Sequence, residues 1–157
     1  MSKASAITSK AASEQLIRQH LLGLKKLLEQ EDAGYQALLR LLQTQARLLT
    51  HQDHQGLLAH NPHQLQATAQ LAHWAAERED LLQKLGTANL EALCERLPLA
   101  LAQTLLAAWQ QVKNQARQCR ALNDSNGRLL ASQKEWLEQR LGVTPSEYQP
   151  EAVSGQL

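Results

Sequence analysis

Phenylalanine is absent from this sequence, and the other residues that favour strands are scarce. There are two Ile, three Val and two Tyr in 157 residues, and the only Met is the first residue. Strands draw on branched and aromatic side chains because these fit a pleated surface. Their scarcity argues against a sheet. Pro and Gly, which punctuate helices, number four and seven. What remains is rich in Leu, Ala and Gln, residues that lose little on entering a helix. The composition predicts an all-α chain, and the length suits a single helical domain.

Other absences restrict function. The formal net charge is +1, so no global field draws nucleic acid or a membrane surface. No apolar run approaches the length of a membrane span, which excludes direct membrane insertion. The N-terminus, MSKASAITSKAAS, lacks the apolar centre of a signal peptide, so the expected location is cytoplasmic. The two cysteines, Cys94 and Cys119, form no Cys-x-x-Cys motif. Each sits among apolar residues at helical spacing and reads as a buried reduced thiol. There is no Gly-rich phosphate loop, no nucleophile elbow, no His-Glu-x-x-His and no conspicuous carboxylate pair. The expectation is a protein without catalysis and without a cofactor. His51, His54, His60 and His63 cluster in sequence with only Asp53 nearby. That is not a zinc spacing, so a solvated polar loop is preferred to a metal site in a four-helix bundle.

The apolar pattern organises the chain. From Ser13, a candidate cap, Ile17, Leu21, Leu24, Leu28, Tyr35, Leu38, Leu42 and Leu49 recur mostly in steps of three, four and seven. This is a coiled-coil seam, widened by Leu doublets and interrupted by the polar Glu31 and Gln45. It predicts a first helix over residues 13–50, about 55 Å long if unbroken from Glu14. Residues 1–12 read as frayed. Residues 51–60 read as a connector broken at Gly56, and Asn61-Pro62 as the start of a second helix over 62–85. The expected inward face of that helix is Leu65, Ala69, Ala72, Ala76 and Leu82, with Gly86 as its stop. A short helix over 88–97, capped by Thr87 or Asn89, ends at Pro98. A long amphipathic helix over 99–141 follows, closed by Gly142 and Pro145. The tail, 142–157, carries no periodicity and is expected to be flexible. The predicted architecture is an antiparallel helical bundle or hairpin with a long C-terminal helix.

That last helix carries six basic and three acidic side chains, and the tail two acidic and no basic ones. A mildly basic helix suits an acidic partner helix, although a solvated face gives the same counts. Its apolar stripe is wider than a two-helix seam needs. Asn123-Asp124-Ser125-Asn126-Gly127 interrupts it. A helix break is one reading of that interruption. The other is continuity, because Cys119, Leu122, Leu129 and Trp136 keep phase across it. Polar Asn on such a seam fixes register and partner choice, and Gly127 would let another backbone approach closely. Trp109 reads as core. Trp136 reads as partly exposed, where an aromatic can anchor an interface.

These residues resemble a known family. Trp109, followed by Leu122-Asn123-x-x-Asn126-Gly127-x-Leu129-Leu130-x-x-Gln133, is similar to the signature of the FlgN-type flagellar export chaperones. The preceding helix–connector–helix, with the charged run EREDLLQKL near the end of the second helix, is similar too. The resemblance implies a cytoplasmic chaperone that binds the C-terminal helical ends of hook–filament junction (hook-associated) proteins. It also implies delivery of these substrates to the membrane-embedded export gate. The partner-binding set it implies is Val112, Ala116, Cys119, Leu122, Asn123, Asn126, Gly127, Leu129, Leu130, Gln133, Trp136 and Leu137. Tyr148 matches in place a family tyrosine that contacts the gate, but its neighbours, Gln149-Pro150-Glu151, depart from the family's run. From the residues alone, a coiled-coil scaffold or adaptor for another helical protein is the alternative.

Overall fold

A computed structural model describes residues 2–142 of the protein. Among these residues there are four helices and no strand: α1 (Ser2–Thr50), α2 (His54–Lys84), α3 (Leu90–Glu95) and α4 (Leu99–Leu141). The fold is all-α with a long C-terminal helix. The chain divides into two compact units. Of the described residues, one contains 2–36 and 69–115, the other 37–68 and 116–142.

In the first unit α1 and α2 run antiparallel. Gly23 lies against Leu81, and Gly34 against Leu71 and Trp74. The approach at Gly34 is close, since a Cβ there would stand 2.6 Å from Trp74 Cζ3 and 2.9 Å from Leu71 Cδ2. Leu24 and Leu28 of α1, Leu82 of α2, Leu90, Leu93 and Cys94 of α3, and Ala102, Leu105 and Val112 of α4 form its core. Within this unit sits a buried ion pair. Arg78 Nη1 donates to Glu31 Oε1, and the Arg78 guanidinium stacks on Trp109, 4.6 Å from the ring centre. The Trp109 indole N–H donates to Glu91 of α3 at 3.0 Å. Burial raises the Glu31 carboxyl above its ordinary value of 4.5, with Arg78 opposing the shift.

In the second unit α1 and α4 run parallel. Asn126 Nδ2 donates to Leu42 O and to Gln45 Oε1, each at 2.9 Å, and Gln133 Nε2 donates to Leu49 O at 2.7 Å. Seven residues thus separate the contacts on both helices, as a shared heptad seam requires. Leu38, Leu42, Leu49 and Cys119 are its buried apolar residues.

Several boundaries and faces differ from the sequence reading. Helix α1 begins at Ser2, not Glu14. Ser13 is no cap, because its Oγ bonds back to Ser9 O at 3.0 Å inside the helix. Once the packed segment nucleates the helix, Ala-rich residues without Pro or Gly extend it at little cost. Helix α2 begins at His54, not at Pro62. Its cap is Asp53, whose Oδ1 accepts from Gly56 N at 2.8 Å. Gly56 lies within the first turn of α2 rather than breaking the chain. A Cβ there would come 2.8 Å from Leu48 Cδ2. Pro62 sits inside α2. The carbonyl it leaves without an N–H belongs to Leu58, on an exposed stretch where water reaches it. The inward face of α2 is also corrected. Leu65, Ala69, Ala72 and Ala76 are exposed, and only Leu82 of the expected set is buried. The covered stripe is His60, Gln64, Leu71, Trp74, Arg78 and Leu82. Helix α3 is Leu90–Glu95, and Asn89 caps it, accepting from Ala92 N at 2.8 Å. Gly86 and Gly142 take left-handed φ values of 70° and 68° after α2 and α4, the conformation that ends helices.

Candidate partner-binding face on the last helix

Helix α4 is unbroken through Asn123–Gly127. Asn126 explains how it stays so. Its amide is buried and donates both to a main-chain carbonyl and to the Gln45 side chain. The polar side chain that weakens local helix propensity is used to fix the register of α4 on α1. Gly127 faces solvent, with nothing within 4 Å of where a Cβ would be.

The residues expected to bind a partner fall into two groups. Val112, Cys119 and Asn126 are buried within the protein itself, and Ala116, Leu122, Asn123, Leu129 and Gln133 are half-buried. Cys119 is completely covered, and burial pushes its thiol up to about 11, which keeps it protonated and unreactive. Gly127, Leu130, Trp136 and Leu137 are exposed. The second group lies mostly near and beyond Gln133, the last anchor of α4 on α1. Helix α1 ends at Thr50, one residue after Gln133's acceptor, whereas α4 continues to Leu141.

The apolar stripe therefore outlasts its cover. Leu130 is 54% exposed, Trp136 51% and Leu137 44%. Beside them is an open recess of about 290 Å³, lined by Gln52, His54, Ser132, Gln133, Trp136 and Leu137. Arg140 stacks on the Trp136 indole, 4.8 Å from the ring centre. An apolar wall, amide and hydroxyl groups along its edge, and an arginine beside it form a surface that can take an amphipathic helix bearing carboxylates. Gln52 and Ser132 were not singled out from the sequence, and His54 was weighed there only as one of the clustered histidines. Gln52 and His54 belong to the turn and start of α2, where no periodicity points to a face.

Among the described residues no group of three or more His, Cys, Asp and Glu is arranged to hold a metal ion. The four connector histidines are dispersed, with His51 in the turn, His54 opening α2, His60 buried and His63 exposed. No helix among the described residues is long and apolar enough to cross a membrane. Tyr148, expected to touch the export gate, lies outside the described residues.

The family model described as FlgN protein matches residues 20–143 of this chain. No curated protein gives a significant match, and neither does any solved structure.

Proposed function

We propose, since this chain belongs to the FlgN family of flagellar export chaperones, that the exposed end of α4 is where it holds its substrate. The substrates are the C-terminal helical ends of hook–filament junction proteins. The observation that carries this reading is the half-exposed pair Trp136 and Leu137, which lies beyond the Gln133 hydrogen bond of α4 to α1, with Leu130 exposed ahead of that bond. A helix in water does not keep such a stripe bare without cost, and an amphipathic helix laid along it removes that surface from water. Amide anchors at Asn126 and Gln133 hold the face in place before binding, so little ordering is needed on association.

The chaperone then carries its substrate in the cytoplasm to the membrane protein of the export gate, with Tyr148 as the gate contact. It acts without catalysis, cofactor or nucleic acid. A pull-down with the tagged chain from its native host, read by mass spectrometry, is expected to recover a hook-associated protein. Recovery of an unrelated coiled-coil protein in its place would assign the face to a scaffold.

A further inference from the structure

Among the described residues nothing covers the start of α1. Residues 3–19 are exposed throughout, and all lie ahead of the family match, which begins at residue 20. Yet the seam of α1 does not stop where its cover stops. Counting back from the buried Leu28 and Leu24 in alternating steps of three and four gives Leu21, Ile17, Glu14, Lys10, Ile7 and Lys3. Leu21 is half-buried, Ile17 is 48% exposed and Ile7 69% exposed. Lys10 and Glu14 are both exposed positions of this seam.

The order of residues along this bare seam is complementary to itself when reversed. We propose that the segment pairs antiparallel with the same segment of a second copy of the chain, the two helices crossing at residue 12. Layers in an antiparallel coiled coil join positions whose numbers have a constant sum. With the crossing at residue 12, Ile7 meets Ile17 of the second copy, and Lys10 meets Glu14. By the two-fold axis each pairing occurs twice, which makes the interface isologous and closed. The positions flanking the axis are Ala11 and Ser13, small enough for the helices to approach closely. Further out, Arg18 faces Ala6, His20 faces Ala4 and Lys3 faces Leu21, so no like charges meet. A parallel pair in register would instead stack Lys3 on Lys3, Lys10 on Lys10 and Glu14 on Glu14. Charge pattern at seam positions selects orientation in such helix pairs, and here it selects the antiparallel one. The overlap spans about five helical turns. An interface this short gives an association that depends on protein concentration.

The test is sedimentation of the full-length chain over a range of concentrations. The wild type is expected to move from the 17.5 kDa monomer to twice that mass as concentration rises. Lys10→Glu alone and Glu14→Lys alone each bring like charges together at two sites, and each is expected to weaken association about tenfold or more. The double variant, Lys10→Glu with Glu14→Lys, restores both pairs and is expected to dimerise as the wild type does. Circular dichroism of every variant guards against simple loss of helix. A wild type that stays monomeric at all concentrations overturns the proposal. So does a dimer that neither single reversal weakens, or one that the double variant fails to restore. Because substrate binding is not part of the readout, the result stands or falls apart from the role of α4.

Discussion

At the scale of single residues, the polar side chains on the helix seams say most about this protein. Glu31 is buried, and Arg78 is its ion-pair partner. Removing Arg78 leaves an unpaired carboxylate in the core, and Arg78→Ala is expected to cost about 3–5 kcal/mol. The pH dependence has a definite sign. Burial raises the folded-state pKa of Glu31 above its ordinary 4.5, so the folded chain holds this proton more tightly than the unfolded one. The corresponding stability is complete below 4.5 and is lost as pH rises through the raised value. Glu31→Gln carries no such charge. In urea unfolding from pH 4.5 upward, the variant is expected to gain stability relative to wild type as pH rises. A difference that stays flat, or runs the other way, would show that Arg78 outweighs burial. The thiols give a second prediction. Cys94 and Cys119 are buried and burial raises both, so a maleimide reagent should label neither at an appreciable rate at neutral pH until denaturant is added. Rapid labelling of the native protein would contradict the packing described for both.

At the scale of elements, what could be read from sequence depended on whether a helix buries apolar or polar residues. Helix α1 was legible from Ile17 to Leu49 because Leu recurs on one face, and the in-phase stripe of α4 was legible across Gly127 for the same reason. Helix α2 was not. Its covered face holds His60, Gln64 and Arg78, and a rule that seeks apolar periodicity turns the helix toward its alanines instead. Its start was missed because Asn61-Pro62 is a stronger start signal on paper than Asp53, whose capping bond to Gly56 appears only in three dimensions. The N-terminal extension was missed because Glu14, Lys10 and Lys3 dilute its apolar pattern to isolated Ile residues, while a helix already nucleated propagates without an apolar face. Two glycines separate the close contacts from the open ones. Gly34→Ala drives a methyl into Trp74 and Leu71 and is expected to destabilise by about 1–3 kcal/mol. Gly127→Ala meets nothing and is expected to stabilise by roughly 0.8–1.0 kcal/mol through helix propensity. Thermal unfolding of the two variants measures both. If Gly127→Ala also weakens substrate binding, that position is where the partner backbone comes closest.

At the scale of the whole molecule, the all-α architecture followed from composition, and the family followed from the Asn-x-x-Asn-Gly run in its helical setting. The division of the candidate face did not. Val112, Cys119 and Asn126 lie on the same stripe as Leu130 and Leu137, and sequence alone does not say where the cover ends. It ends near Gln133 because α1 stops at Thr50. A chaperone must also hand over what it holds, and we assign that task to the tail. Tyr148→Ala is expected to leave substrate affinity unchanged and to lower secretion of the junction protein in cells. Normal secretion would remove Tyr148 from the gate contact, and lost affinity would place it in the substrate site.

The claim on which the functional account rests is that the uncovered end of α4 holds the substrate. Calorimetric titration of the C-terminal segment of a hook-associated protein into wild type and into a Trp136→Ser, Leu137→Ser double variant tests it most directly, with circular dichroism recorded on both. Two half-exposed side chains contribute little to the protein's own core, so helicity and thermal midpoint are expected to change little. Affinity is expected to fall about a hundredfold, as truncation of an aromatic anchor and its neighbour does. Unchanged affinity with an intact fold would contradict the account, because the substrate would then be held elsewhere.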